Sequence, residues 1–481
     1  MIQRKKARSA RVAFFSVAHG VYFSQFEGLW DSLMGYHKET VQLVESNEVE
    51  VLDFGMICSN AESFAAADKI NGSGVDLIIC NMITYATSSV FAPIARNATA
   101  PVILLALQPR KGLDYSKAST RMQLENDNIC SVPEFIGVAN RLGRPVKDAI
   151  LGCLYDDEKA HAELTQWCEI AKVLHDLKGA RIGLMGHVLE SMYDMHADPT
   201  AVSAAFNLHV PLLEIEDMIQ EYRQVTPEEI EAKKAQILAE FETPDPKSDP
   251  VTRKLTPEDL HRAAHGAATL DRVVEKFNLT GLAYYYEGTE GTIQREVATS
   301  FVVGNSILNA QGIPMCGEFD LKTCVAMLIM DRLNIGGSFA EFHPFDFTED
   351  FILVGHDGPH HIAIAEGKPV LRSLTKFHGK PGSGASVEFK IKEGPITMLG
   401  ITQTGDGKFK FVIGEGYSKK GPIPPTGNTN TRGFFAPNTR DFVKKWVMEG
   451  PTHHYALGVG HHAETIQKIA DVLGIESVIV K

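Results

Sequence analysis

Glu318, Glu341, His356 and His462 combine two carboxylates with two imidazoles. Each lies beside a glycine-flanked strand end or turn: GEFD, GGSFAE, LVGHDG and GVGHHA. Carboxylates are hard oxygen donors and imidazoles borderline nitrogen donors. A mixed set of this kind suits one divalent cation such as Mn²⁺, Co²⁺ or Mg²⁺, with positions left open for water and substrate. If the four converge, the chain handles an oxygen-rich small molecule through a bound metal.

Each residue also has an ordinary reading. Glu318 precedes the apolar run TCVAMLIMDRL, where an acid at a helix N-terminus is modestly favoured by the dipole. In GGSFAEFHPFDF, alternation puts Phe339, Glu341 and His343 on one strand face. An inward glutamate there is costly unless paired or metal-bound, and the alternative is a strand edge facing solvent. A histidine doublet cannot easily point both rings at one ion, so one of His461 and His462 is the ligand and the other supports it. His360-His361 and His453-His454 are further doublets, and most of these rings must serve elsewhere. GxSxG, GxxxxGK[ST] and HExxH do not occur. The glycine-rich GKPGSG (379–384) lacks the helix that a phosphate cradle needs and reads as a hairpin loop.

The elements that must position these residues begin with strand-and-helix alternation. RVAFFSV (11–17), VEVLDF (49–54), VDLIIC (75–80), PVILLAL (101–107) and DAILGCLY (148–155) are short β-branched apolar runs. Helix-forming segments lie between them, and a longer helix runs from Asp157 to about Leu177. Buried parallel strands with crossover helices give this pattern. A second unit starts at RIGLMG (181–186) and continues through HVPLLEI (209–215) and GLAYYYE (281–287), with helices near 227–241 and 256–276. TPDPKSDPVT (243–252), with three prolines, predicts an exposed loop. After about residue 335 the pattern changes to SVEFKIK (386–392), PITMLGITQT (395–404) and KFKFVIGEGY (408–417), with GDGK (405–408) as a tight hairpin turn. The chain ends in a strand, a helix and a strand. The fold class expected is α/β: two doubly wound Rossmann-like units (1–177 and 178–334), then an antiparallel β-barrel-like domain (335–481). The first glutamate belongs to the central domain, the other ligands to the last.

Composition narrows the class of partner. The 481 residues are 44% hydrophobic and 22% charged, with a formal net charge of −13, which speaks against nucleic acid or an anionic membrane. Seven scattered cysteines without a CxxC pair fit a reducing compartment. The basic start is followed by too short an apolar run for a signal peptide, and no run approaches a membrane span. A cytoplasmic protein acting on a small molecule is expected.

Taken in order, the motifs GEFDLKTC (317–324), GGSFAEF (336–342), LVGHDG (353–358) and GVGHHAE (458–464) resemble GEGDWKTA, GGTSFMED, LGSHM and AGGAHHT of the L-arabinose isomerase family, related in fold to L-fucose isomerase. LYDDEKAHAELTQWCEIAKVL and YYYEGTE (284–290) extend the likeness weakly upstream. The resemblance implies that Glu318, Glu341, His356 and His462 hold one Mn²⁺ (or Co²⁺ or Mg²⁺) per active site. Glu318 and Glu341 would also be the acid–base pair of an aldose–ketose isomerisation through a cis-ene-diol. It further implies that Tyr286, Phe339, His343 and His461 contact the sugar, a pentose or deoxyhexose such as L-arabinose or L-fucose, and that the chain forms a homo-oligomer, a hexamer in the family. The sequence departs from the family at Leu321, Asp357 and His343, and in LALQPRK (105–111), which lacks the family's histidine. Another metal-dependent sugar enzyme, an epimerase or hydrolase, and a non-catalytic sugar-binding protein are the rival readings.

Overall fold

In a computed structural model that describes residues 2–189, 191–244, 254–358, 360–373, 376–377, 380–381, 384–424 and 429–481, the first five apolar runs are strands: β1 (Arg11–Val17), β2 (Glu50–Ile57), β3 (Leu77–Met82), β4 (Val102–Gln108) and β5 (Asp148–Cys153). They form one all-parallel sheet in the order β2-β1-β3-β4-β5. Every residue of β3 and all but the first of β1 are buried, which is why these runs read as continuous rather than alternating hydrophobics. This sheet belongs to a compact unit of residues Arg8–Asp176; Met1–Ala7 and Leu177–Lys481 make the other unit.

The larger unit holds a second parallel sheet: β6 (Ile182–Met185), β7 (Leu212–Leu213), β8 (Gly281–Tyr284) and β9 (Met315–Cys316), in the order β7-β6-β8-β9. HVPLLEI supplies only a two-residue strand, because Pro211 within it has no N–H for the ladder. The helices Pro227–Glu240 and Pro257–Lys276 each start with a threonine cap, a proline in the first turn and a reciprocal acidic partner three residues after the cap. Of the expected loop 243–252, residues 245–252 lie outside the described residues.

The last third follows the strand β10 (Gly336–Asp346) and β11 (Phe351–Gly355). Two short ribbons come next: β12 (Val370–Ser373) with β15 (Ala385–Glu388), and β13 (Lys376–Phe377) with β14 (Lys380–Pro381). SVEFKIK is therefore strand only to Glu388 and pairs outside the barrel. Of GKPGSG, Gly379, Gly382 and Ser383 lie outside the described residues. Then come β16 (Gly394–Gln403), β17 (Phe409–Lys419), β18 (Thr431–Phe434), β19 (Tyr455–Val459) and β20 (Glu476–Val480). Antiparallel pairing runs β16-β19-β10-β11-β18-β17, and β17 returns to β16, so six strands close a barrel. β20 adds in parallel to the remaining edge of β17. The hairpin at Thr404–Lys408 is closed by Thr404 N–H to Lys408 C=O, 2.8 Å, with Gly407 at positive φ. Met398, Val412, Phe435, Trp446 and Tyr455 belong to one buried cluster in this region.

Candidate metal centre

Four elements of the larger unit bring the site together. Between β9 and the helix Leu321–Arg332 the chain makes a turn in which Glu318 (φ 58°) and Phe319 (φ 64°) are both left-handed. Non-glycine residues adopt this conformation at a cost of roughly 1–3 kcal/mol each, and it is found where the surroundings dictate the backbone. Here Phe319 N–H donates to the Tyr284 carbonyl of β8, 3.0 Å. β10 supplies Glu341 and β11 ends at His356. Alternation along β10 operates as expected: Phe339 and Glu341 face the site, while Phe342 packs on Tyr455.

The fourth group is His454, not His462. Ala340 of β10 pairs with Tyr455 of β19, so the residue preceding β19 falls beside Glu341. His461 and His462 follow β19 at its far end, about 17 Å away at roughly 3.3 Å per strand residue. There His462 N–H donates to Thr397 Oγ1 (3.0 Å), and His461 Nε2 lies 3.1 Å from the Gly416 carbonyl. Burial holds the His462 imidazole below its usual range. The two doublets flank one strand, and the structure gathers the earlier one. Neither the ligand role of His462 nor the sugar contact of His461 agrees with this placement.

His356 Nε2 lies 3.2 Å from His454 Nε2, 3.7 Å from Glu318 Oε1 and 4.0 Å from Glu341 Oε1; His454 Nε2 lies 3.5 Å from Glu318 Oε2. Ligands each about 2.1 Å from one ion are at most about 4.2 Å apart, so these separations suit a shared cation. The protonation pattern agrees. His356 Nδ1 faces the Asp357 carbonyl, an acceptor, and His454 Nδ1 faces the Asp320 carboxylate at 3.1 Å. Both Nδ1 atoms therefore carry the proton, and two Nε2 lone pairs converge. Glu318 Oε2 is buried without a hydrogen-bond partner. Imidazole lone pairs and carboxylate oxygens brought this close form a set of donor atoms that a cation would join.

The surroundings hold these groups in place. Burial alone would raise the Asp320 carboxyl, but the His454 ring and Lys322 keep it below its ordinary range. Asp320 also caps the helix through Thr323 N–H, 3.0 Å. A carboxylate behind a metal-binding histidine fixes its tautomer and raises its basicity. Phe339 is fully buried, its ring 4.3 Å from both His356 and His454. It is a platform under the two imidazoles and cannot touch a sugar, contrary to expectation. His453, the other half of the doublet, offers a ligand atom within 4.8 Å of Glu318 and His454. Burial would lower its pKa, but Asp194, 2.6 Å from Nδ1, holds it above normal. Lys322 Nζ in turn donates to the Asp194 and His196 carbonyls, 2.8 and 2.9 Å.

A cleft opens on the centre, lined by Tyr284, Tyr286, Thr299, Glu318, His356 and Asp357. Tyr286, expected from the resemblance to contact the sugar, is part of this lining. Burial and the Glu318 charge push its hydroxyl pKa up, so it remains a hydrogen-bond donor at neutral pH. His343 is not part of this lining; its Nε2 lies 3.9 Å from Glu341 Oε1. Burial, and then the Glu341 charge, raise the Glu318 carboxyl against the pull of His454 and His453. Sequence reasoning missed His454, Asp320 and Asp194. The signal for His454 was its position just before a strand, but only the β10–β19 pairing distinguishes that doublet from the next.

A family model for the C-terminal domain of L-fucose isomerase matches residues 366–481, which include His454. The chain is 24% identical over 396 residues to an L-arabinose isomerase of Nocardioides sp., covering 79% of this chain and 75% of that one. It is 22% identical over 412 residues to an L-arabinose isomerase of Aeromonas hydrophila, covering 83% and 79%. A Bacillus subtilis L-arabinose isomerase is 20% identical over 412 residues, covering 84% and 80%. The closed barrel and the parallel sheets thus belong to a chain that is similar over most of its length to L-arabinose isomerases. The family model and these relatives agree in pointing to sugar isomerases of the L-arabinose and L-fucose kind as what the chain is similar to. Among the described residues no helix is long and apolar enough to cross a membrane.

Proposed function

We propose that the chain is a metal-dependent isomerase of a pentose or deoxyhexose, of the L-arabinose or L-fucose kind, working in the cytoplasm as a homo-oligomer, with a hexamer as the family expectation. The observation that carries the metal requirement is the pair of facing Nε2 atoms, 3.2 Å apart, with Glu318 and Glu341 around them. Glu318, Glu341, His356 and His454 would hold the ion, and oxygen and imidazole donors in equal number favour Mn²⁺, Co²⁺ or Mg²⁺. When bound, the cation supplies Lewis-acid stabilisation of negative charge on the sugar oxygens.

The reaction moves a carbonyl from C1 to C2. The C2–H bond breaks, a proton reaches O1, and the resulting cis-ene-diol gives up the O2 proton and accepts one at C1. Glu341, with a quarter of its side chain exposed, is placed to take the C2 proton and return it to C1. Glu318, nearly enclosed and with its carboxyl raised by burial, is placed to exchange protons with the oxygens. Unlike surroundings for two carboxylates permit this division. Tyr286 offers a donor hydroxyl, and the buried ring of Phe339 keeps water from the back of the centre.

The test is incubation with an aldose panel, followed by ketose detection, before and after chelation. Turnover should vanish in chelator and return with Mn²⁺. Full turnover of protein that elemental analysis finds metal-free ends the proposal. Glu341→Gln should also abolish solvent deuterium incorporation at the reacting carbons; retained incorporation would assign the base to another group.

A further inference from the structure

The N-terminal arm reaches into this unit from the far end of the sequence. Both Arg4 Nη atoms donate to Asp331, Nη1 to Oδ1 at 2.9 Å and Nη2 to Oδ2 at 2.6 Å. The Asp331 side chain is 1% exposed and that of Arg4 27%, so this is a two-pronged charge pair on a buried acid. Neighbouring backbone fixes the arm as well: Lys5 N–H donates to the Gln311 carbonyl, 2.9 Å, and Arg4 Nε to the Lys6 carbonyl, 3.2 Å. Gly312 makes room for the guanidinium. It has φ +83°, and a Cβ there would come within 2.6 Å of Arg4 Nη2.

Asp331 has a second partner. Its Oδ1 lies 3.2 Å from His361 Nε2, and His361 N–H donates to Ser338 Oγ of β10, 3.2 Å. His361 ends the segment that begins with His356, and Asp357 and Gly358 within it line the cleft. The helix Leu321–Arg332 therefore carries a structural carboxylate near each end. Asp320 sets His454, and Asp331 sets the far end of the His356 segment. Arg332 also bonds Asp331, so removing Arg4 leaves the carboxylate one cation and changes its orientation rather than stranding it.

We infer that Arg4 is a positioning residue for the metal centre, acting from the N-terminal arm through Asp331 and His361 on the segment that carries His356. The inference builds on the proposed metal reading, but the coupling of arm to segment can be measured without metal.

Arg4→Met, Arg4→Lys and His361→Gln in the full-length chain provide the test, with hydrogen exchange of metal-free protein and Mn²⁺ titration followed by electron paramagnetic resonance. Arg4→Met should speed exchange of the His361 amide at least about tenfold and weaken Mn²⁺ binding about 10- to 100-fold, as outer partners of metal ligands do. Turnover number should fall more than KM rises, and Arg4→Lys should recover part of each effect. His361→Gln should match Arg4→Met, and the double variant should be no worse than either alone. Exchange and affinity unchanged within about twofold, or additive effects in the double variant, overturn the inference. If Arg4→Met does not fold, Arg4→Lys and His361→Gln decide by the same two readouts. If the natural sequence binds no Mn²⁺, the metal reading fails while exchange still decides the role of Arg4.

Discussion

A buried carboxylate beside two imidazole lone pairs is tolerable only if something positive or protic joins them, and Glu318 makes that cost measurable. Its raised pKa means that the folded protein binds more protons than the unfolded chain in the interval above the ordinary glutamate value. Stability of the metal-free protein is thus highest at low pH within that interval and declines as pH rises through it. Glu318→Gln removes this slope and places an amide donor near His454 Nε2. We expect it to stabilise the metal-free protein by about 1 kcal/mol at neutral pH while abolishing turnover; melting in chelator over a pH series measures this. The choice between doublets is equally direct. His454→Ala should weaken Mn²⁺ binding by more than about 100-fold, beyond the loss typical of an outer partner, and His462→Ala by less than threefold or so. Isothermal titration of both variants checks the assignment, and the reverse order would return the ligand role to His462.

The packing of elements sets the distance between the two glutamates. β10 crosses the helix Leu321–Arg332 at Gly337, whose φ is +103° and whose Cβ, if present, would sit 2.7 Å from the Met327 carbonyl. Backbone cannot yield as a flexible side chain does, so Gly337→Ala must push β10 off the helix. We expect a loss of about 2 kcal/mol or more in chemical denaturation, together with weaker Mn²⁺ binding, because Glu318 belongs to the helix side and Glu341 to β10. Asp320→Asn keeps shape and removes charge at the other end of the same helix. It should lower Mn²⁺ affinity about 10- to 100-fold with little change in melting temperature, read by titration and calorimetry.

At the scale of the whole chain, Asp331 ties residue 4 to residue 361 and links acid stability to that tie. Burial alone would raise its carboxyl, but the His361 and Arg4 bonds hold it well below the usual range. A depressed carboxyl contributes stability that is complete above the unfolded value of about 3.9 and is lost as pH falls below it. Asp331→Asn should therefore flatten the acid limb of the stability curve below about pH 4, as measured by denaturant titration at several pH values. Much of this protein was legible in one dimension. The apolar runs of β1, β3 and β4 announce the buried centre of a parallel sheet because both their faces must be apolar, and the turn chemistry of GDGK marks its hairpin. Glu318, Glu341 and His356 stood out because acids and imidazoles beside glycines at strand ends have few inexpensive structural uses. Local pattern could not say which doublet joins them, since His453-His454 and His461-His462 each adjoin the same strand. Nor could it show that Phe339 lies beneath the rings, or that an arginine near the start answers an aspartate beyond residue 330. Those facts depend on strand register and on which elements touch. Long-range pairing decides both, and the energy that selects it is spread over a closed barrel and its packing helices rather than written in any short stretch of chain.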